Sequence, residues 1–513
     1  MANRSTIREL LEAGAAERPA LLASGREPLT YRGLRELVDR TVERLNAFGI
    51  GRGDRVAIVL PNGPEMAAAF LTVACAATTA PLNPAYRRQE FDFYLDDLGA
   101  KALIVEAGAD NPAIAAARRR GVRILRLAVP EGGAAGAFEL VAEAPEGRDP
   151  GERGLAESGD VALVLHTSGT TSRPKMVPLL HRNLCASADH IGATLHLAPD
   201  DRCLNIMPLF HIHGLVAALL SSLAAGGSVF LSPGFNALRL LAWIAEARPS
   251  WTTAVPTMYQ AILGRASRRA EDFAAAGLRF LRSSSASLPP QVMAELEGLF
   301  GCPVIESYGM TEAAHQMTSN PLPPAPRKPG SVGREAGPLV RVVDARRRFA
   351  DPGEEGEIVI SGSNVTPGYV NNPEADAEAF FTAEGRRWFR TGDQGRFDAE
   401  GYLFITGRLK EMINRGGEKI APLEVDTVLM DHPAVRQVVT FALPHPKLGE
   451  EVAAAVVLRE GAEVGEGELR AFAAEHLADF KVPRRIVFLP EIPKGPTGKL
   501  QRIGLAERLG LVS

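Results

Sequence analysis

Short apolar runs alternate with helix-spaced apolar positions through the first four hundred residues. RVAIVLP, from Arg55, reads as a strand, and PEMAAAFLTVACAA, from Pro64, as the helix after it. KALIVE, DVALVLHT, RCLNIMP, GSVFLS, WTTAVP and LRFLRSS repeat the strand pattern. Runs that are apolar at nearly every position belong to strands buried on both faces, and strands alternating with helices build parallel sheets. The most apolar stretch, LVAALLSSLAAGGSVFL from Leu215, is broken by serines and glycines. It reads as a buried helix, a turn and a strand, not a membrane span. Pro321–Gly333, PLPPAPRKPGSVG, reads as a surface loop.

After about Tyr369 the texture changes. EGYLFITGRLKEMINRGGEKIAP predicts a hairpin, another strand and a Gly-Gly turn. PLEVDTVLMDHP then reads as a helix, VRQVVTFALP and EVAAAVVLRE as strands, and ELRAFAAEHLADF as a helix. That is a compact α+β module of about a hundred residues. The expected fold class is α/β: a large N-terminal domain (1–409) of layered, mostly parallel sheets and helices, and a small C-terminal domain (410–513).

Composition narrows the function classes. A chain of 513 residues exceeds what one core usually supports, which also argues for more than one domain. Its 46% hydrophobic and 23% charged residues are ordinary for a globular protein. A net charge of −4 gives no basic field for nucleic acid, so any anion must be met by a local site. The four cysteines (Cys75, Cys185, Cys203 and Cys302) are scattered with no CxxC pair, so neither a zinc site nor a disulfide framework is indicated. The charged N-terminus does not read as a signal peptide, and the final LVS is not the peroxisomal tripeptide. The expected location is the cytoplasm.

Local anion chemistry is concentrated in HTSGTTSRPKMVP, His166 to Pro178. It follows the strand DVALVLHT. Glycine and hydroxyl residues after a strand present N–H and O–H donors to an anion, and Lys175 adds a point charge. Phosphate is the expected guest. The Walker pattern is absent, because Met176 follows the lysine. A polar surface turn is the competing reading of this loop taken alone.

Further motifs follow in order: SYGMTE (Ser307–Glu312), RTGD (Arg390–Asp393), TGRLKEMI (Thr406–Ile413), NRGGEKIAP and PKGPTGK (Pro493–Lys499). With these the chain resembles the adenylate-forming acyl-CoA synthetase superfamily over nearly its whole length. The resemblance implies a mobile small domain and a two-step reaction. A carboxylate attacks the α-phosphate of ATP to give an acyl-adenylate and pyrophosphate; the thiol of coenzyme A then displaces AMP. ATP, Mg²⁺ and coenzyme A are the implied cofactors. The implied partners are small molecules only, with the chain a monomer or homodimer.

The resemblance also implies roles. Thr167, Ser168, Gly169, Thr170, Thr171 and Lys175 would cradle the β- and γ-phosphates. Glu312 would bind Mg²⁺, an ion suited to hard oxygen ligands. Thr311 would donate to the α-phosphate. Tyr308 would lie against adenine, with Glu306, Ser307, Gly309 and Met310 around it, and Ser285, Ala286 and Ser287 would line the base and acyl pocket. Asp393 would accept both ribose hydroxyls, a carboxylate being a natural acceptor for a diol. Arg408 would assist at ribose or phosphate. Lys499 would be the catalytic lysine, bridging the attacking carboxylate and the α-phosphate. Lys410 falls at the hinge, and Gly416 and Gly417 would let the pantetheine arm pass. For Lys410 and the Gly-Gly turn, an ordinary solvated lysine and a plain tight turn compete.

The acid is the least determined part. In this resemblance the acyl pocket draws on PLFHIHG, TAVPTMYQ and RSSSASL, which bring Ser283, Ser285, His211 and His213, and on His315 after the MTE glutamate. A fatty acyl tail needs an apolar slot. Serines and histidines suggest a small, polar, doubly charged acid, because an unpaired buried carboxylate is costly. HTSGTTSRPK, PLFHIHGL, RSSSASL, MTEAAHQMTSNPLP and INRGGEKI resemble the oxalate–CoA ligases within the superfamily. There, a serine after the first pocket strand and the histidine three residues beyond the glutamate are associated with the second carboxylate. Gly309 departs from the alanine frequent in those relatives, a minor change by residue type. His211 belongs to a motif shared by members with different acids and also reads as a gate to the coenzyme A tunnel. Malonate or another short or aromatic acid is the alternative. Carrier-loading, luciferase-like and catalytically dead relatives share the fold, but Lys499, Glu312 and Asp393 are all present.

Overall fold

The computed structural model describes residues 4–143, 152–167, 174–266, 269–495 and 498–512. Four sheets organise the chain. The first has nine strands, in the order Arg334–Glu335, His315–Ser319, Val304–Met310, Phe280–Ser283, Trp251–Ala254, Arg202–Asn205, Ser228–Leu231, Pro19–Leu22 and Leu29–Thr30. Its centre is parallel, from Val304–Met310 to Pro19–Leu22. The second has seven strands, ending with Thr78–Pro81, Val161–Thr167 and Lys175–Leu180. Every strand predicted from an apolar run between Arg55 and Ser284 forms in one of these two sheets. Nearly continuous burial, such as that of Ser228–Leu231 and Trp251–Ala254, matches sheets covered on both faces.

The strand–helix alternation stops earlier than the pattern suggests. The third sheet, built from Leu339–Val343, Gly356–Ser361, Phe380–Ala383, Arg386–Phe397 and Leu403–Arg408, is wholly antiparallel. Most of its connections are too short for a helical crossover, and short connections favour antiparallel neighbours. The fourth sheet lies entirely after Arg408: Glu418–Ile420, Ile413–Arg415, Gly449–Leu458, Val435–His445 and Arg485–Phe488. With helices Pro422–Met430 and Glu466–His476 it is the small α+β domain.

The apolar stretch after His211 is helical but underwound. His213–Leu220 is a π-helix, continued by the α-turn Ser221–Ala224, and all of it is buried. Gly214 is required there, because a Cβ would collide with the Pro208 carbonyl oxygen. π-Helical turns are rare and frequent at functional sites, and this one starts on His213. The Pro321–Gly333 loop is at the surface until Ser331, after which it is buried. Among the described residues no helix is long and apolar enough to cross a membrane, and all four cysteines are buried and free.

Candidate active site

Thr167 ends one strand and pairs with Lys175 at the start of the next, so both ends of the hydroxyl-rich loop are fixed side by side. Ser168, Gly169, Thr170 and Thr171 lie outside the described residues. The Lys175 ammonium sits over the Tyr369 ring, 4.6 Å from its centroid. The Tyr369 hydroxyl donates to Glu312 Oε1 at 3.1 Å. Lys175, Tyr369 and Glu312 therefore stand in one line. Burial pushes the Glu312 carboxyl up, while the Tyr369 hydrogen bond and the charges of Arg408 and Lys175 pull it back. A buried carboxylate of this kind suits Mg²⁺, which takes one or two carboxylates and completes its shell with phosphates and water. Thr311, also buried, opens the same 3₁₀ turn, Thr311–Ala313.

A second polar group assembles on Asp393. It pairs across the hairpin with Arg408, whose Nε donates to Asp393 Oδ1 at 2.7 Å. The Tyr308 hydroxyl donates to Asp393 Oδ2 at 2.5 Å. Tyr308 is thus tied at its tip, which fixes the plane of its ring. Burial pushes the phenol well up, and the Asp393 charge adds to that; the same carboxylate holds the Arg408 guanidinium charged.

Lys499 reaches this group from the far end of the sequence. Burial, with repulsion from Arg408, pushes its ammonium down to about 8, against the pull of Asp393 and Glu312. The Thr257 hydroxyl, at the start of helix Pro256–Ala266, donates to the Gly498 carbonyl at 2.6 Å and anchors the lysine's loop. Lys410 is exposed on the short 3₁₀ turn Leu409–Glu411, between the third and fourth sheets. Gly416 and Gly417 form an exposed turn with φ of +61° and +98°, and Gly416 packs against Leu448. The structure brings Lys499, not the Gly-Gly turn, to Glu312 and Asp393.

The histidines converge. His213 Nδ1 is 3.1 Å from Ser285 Oγ and its Nε2 is 2.6 Å from Thr253 Oγ1. The His213 and His315 ring centroids are 5.0 Å apart. His211 Nδ1 accepts from the His213 backbone N–H at 3.2 Å. Burial is the main reason all three are held neutral: His211 is pushed down to about 3, and His213 and His315 fall well below the usual range. Both ring nitrogens of His315 are buried without a partner.

Ser283 stands apart from that group. Its Cα partner is Glu306 on the neighbouring strand, so the two share a face. Arg282, one residue earlier, projects from the opposite face. Of the two expected pocket serines, Ser285 touches His213, and it does so with φ +75°. Ala286 and Ser287 are exposed beyond it. Glu306 is buried, accepts the Leu288 N–H at 2.9 Å, and is pushed up by burial to about 8. It is a neutral acid at pH 7. Ser307 is buried on the same strand, and Gly309 and Met310 are half-buried at its end.

Gly309 is no minor departure in steric terms. A Cβ there would overlap the His315 carbonyl oxygen and lie 3.2 Å from its Nδ1. The chain folds back tightly at Ala314 and His315, with φ of +47° and +105°. Two successive non-glycine residues in that region mark imposed strain. Tyr369 sits outside the motif clusters, and only the fold brings it in; Thr253 and Thr257 lie in TAVPTMYQ, where nothing local singles them out. The cue at Arg282 was a charge inside an otherwise apolar run.

The arrangement is that of an enzyme joining an acid to a thiol through an adenylate. The chain belongs to the AMP-binding enzyme family, which matches residues 11–370, and the family's C-terminal domain matches residues 424–499. It is an AMP-forming acyl-CoA synthetase. It is 44% identical to the oxalate–CoA ligase of Arabidopsis thaliana, over 97% of each chain. It is 41% identical to that of Saccharomyces cerevisiae, over 93% of this chain and 92% of the relative. ATP-bound MatB from Rhodopseudomonas palustris shares the fold with a TM-score of 0.86 at 29% identity, over 98% of each chain.

Proposed function

We propose that this chain is an oxalate–CoA ligase. The observation that carries the reading is two groups of polar side chains within electrostatic reach of each other, an outer and an inner half. Lys499, Asp393, Arg408 and Glu312 meet in the outer half. His211, His213, His315 and Ser285 form the inner half, and these polar side chains suit a polar acid, not an alkyl tail. The two relatives that are oxalate–CoA ligases support the same acid.

In the first step a carboxylate oxygen of the acid attacks the α-phosphorus, and the bond from that phosphorus to pyrophosphate breaks. Lys499 stabilises the charge that builds between the two anions. Removing one such electrostatic donor costs on the order of 10²–10³ in rate. Thr311 donates to the α-phosphate, and Thr167, Lys175 and the intervening loop hold the leaving pyrophosphate. Asp393 accepts the ribose hydroxyls with Tyr308 and Arg408 orienting it. Glu312 would hold Mg²⁺, which supplies charge neutralisation at the phosphates.

In the second step the thiolate sulfur attacks the acyl carbon and the C–O bond to AMP breaks. We assign the hinge to Lys410, dividing 1–409 from 410–513. Rotation there would withdraw Lys499 and bring Gly416 and Gly417 to the pantetheine path. AMP release with ATP, Mg²⁺ and coenzyme A, measured across oxalate, malonate, acetate, a medium-chain fatty acid and a cinnamic acid, tests the reading. Strong preference for oxalate supports it. Preference for an apolar acid would leave the adenylation roles and overturn the pocket.

A further inference from the structure

Arg282 is a buried cation with almost nothing to answer it. It lies on strand Phe280–Ser283 in the middle of the nine-stranded sheet and is 0% exposed. Its Nη2 donates to the Gln316 side-chain oxygen at 3.2 Å. Its Nε and Nη1 are buried with no hydrogen-bond partner. No carboxylate among the described residues pairs with it. Charged side chains are almost never fully buried unless paired, and leaving a charge uncompensated is strongly destabilising. Burial lowers the guanidinium only to about 10, so it stays charged at neutral pH.

Its position relates it to the acyl pocket. Arg282 is the cross-strand partner of Thr253, and partners in a parallel pair project from the same face. Thr253 holds His213 by hydrogen bond, and His213 packs on His315, the neighbour of Gln316. Arg282, Thr253, His213, His315 and Gln316 therefore form one polar group inside an apolar sheet face. The Arg282 charge also helps keep His213 and His315 neutral. The pocket interior thus holds one fixed positive charge and two neutral imidazoles.

We propose that Arg282 is the specificity-determining residue that ion-pairs with the second carboxylate of a dicarboxylic substrate, with Gln316 orienting the guanidinium and His315, whose ring nitrogens have no other partner, completing the hydrogen bonds. This rests on the reading of the chain as a ligase for a small dicarboxylic acid and names the charge that selects it. One carboxylate goes to Lys499 and the α-phosphate; the other goes to Arg282. A monocarboxylate of the same size leaves Arg282 unpaired, and the site discriminates against it for that reason.

Two measurements test this. The first compares oxalate with glycolate, in which a hydroxymethyl group replaces the second carboxylate, in wild type, Arg282→Gln and Arg282→Lys. The ratio of kcat/KM for oxalate over glycolate falls at least about 100-fold in the glutamine variant, through KM for oxalate, and lysine restores at least about tenfold of it. A ratio that stays at the wild-type value overturns the proposal. A wild type that does not use oxalate or another dicarboxylate overturns the reading beneath it instead.

The second uses wild type alone and is independent of how the variants fold. Oxalate is titrated calorimetrically into the enzyme with Mg²⁺ and α,β-methylene-ATP at pH 7, in buffers of different ionisation enthalpy. A fixed arginine charge takes up close to no proton on binding. Uptake of about one proton per oxalate would show that His213 or His315 supplies the charge, and would overturn the assignment.

Discussion

Gly309 lies directly beneath His315, close enough that a Cβ at 309 would overlap the His315 carbonyl oxygen. The absent side chain is what allows the Ala314–His315 turn to fold back with positive φ at both residues and to aim the His315 ring at His213. The expected result for Gly309→Ala is a displaced turn and a stability loss of about 1–3 kcal/mol, the usual cost of overpacking. KM for the acid should rise more than KM for ATP. Thermal melts and steady-state kinetics with both substrates check this. An unchanged KM for the acid would mean His315 does not contact it.

Lys499 ties the pH profile to the first half-reaction. Its pKa is lowered to about 8, and the charged form is the one that can bridge two anions. Adenylation should therefore fall as pH rises through about 8. The buried histidines titrate far below neutrality, so they should add no limb between pH 6 and 8. Lys499→Ala should lose about 10²–10³ in adenylation and also lose this alkaline limb. Thioester formation from presynthesised acyl-adenylate should survive. Equal loss of both half-reactions would count against the assigned role.

Tyr369 couples Lys175, the proposed phosphate lysine, to Glu312, the proposed metal carboxylate. Its hydroxyl bonds Glu312 and its ring carries Lys175. Tyr369→Phe keeps the ring and removes one hydrogen bond, a change of about 0.5–1.5 kcal/mol. A rise of roughly threefold to tenfold in the Mg²⁺ concentration needed for half-maximal rate is expected, with KM for the acid little changed. Metal titrations of the variant decide it.

Glu306 makes a prediction about stability. Its carboxyl is raised by burial to about 8 in the folded chain but titrates near 4.5 when exposed. The contribution it makes in the protonated form is complete below pH 4.5 and is lost as pH rises toward 8, by about 1.4 kcal/mol per pH unit. Glu306→Gln keeps an acceptor for the Leu288 N–H and removes the titration. The variant should melt higher than wild type at pH 8, and the gap should close near pH 5. A gap independent of pH would mean that Glu306 is ionised in the fold.

Much of this was legible in the sequence, for physical reasons that also mark the limit. Strands such as Ser228–Leu231 and Trp251–Ala254 were readable because a doubly covered strand must be apolar throughout. The antiparallel third sheet was less so, since its strands carry Arg on their exposed faces and look like loop. Lys499, Asp393 and Glu312, which the fold brings together, could be singled out because their motifs are local in sequence. Tyr369, Thr257 and Arg282 act through partners 57, 241 and 34 positions away, and no local pattern records such pairings. Between Ser283 and Ser285 the sequence could not choose: the strand ends at Ser283 and Ser285 has φ +75°, so strand alternation does not show which serine meets His213.

Thr257 gives the most direct reading of how the two domains share one site. Its hydroxyl donates to the Gly498 carbonyl, next to the lysine, from a helix of the large domain. Gln437 and Gln260 bond across the same boundary at 2.7 Å, and Arg459 pairs with Glu295 at 2.9 Å. The last pair is half-exposed and contributes little. The Thr257 bond is shielded, and it bears on the segment that carries Lys499. Thr257→Val preserves shape and removes the donor. Loss of one hydrogen bond of about 0.5–1.5 kcal/mol should slow adenylation about threefold to tenfold, because the lysine is delivered less often to the α-phosphate. Under the proposed rotation Lys499 leaves for the second half-reaction, so its rate from presynthesised acyl-adenylate should hold or rise. Single-turnover measurement of each half-reaction separates the two, and a variant slowed equally in both would show that Thr257 only supports the fold.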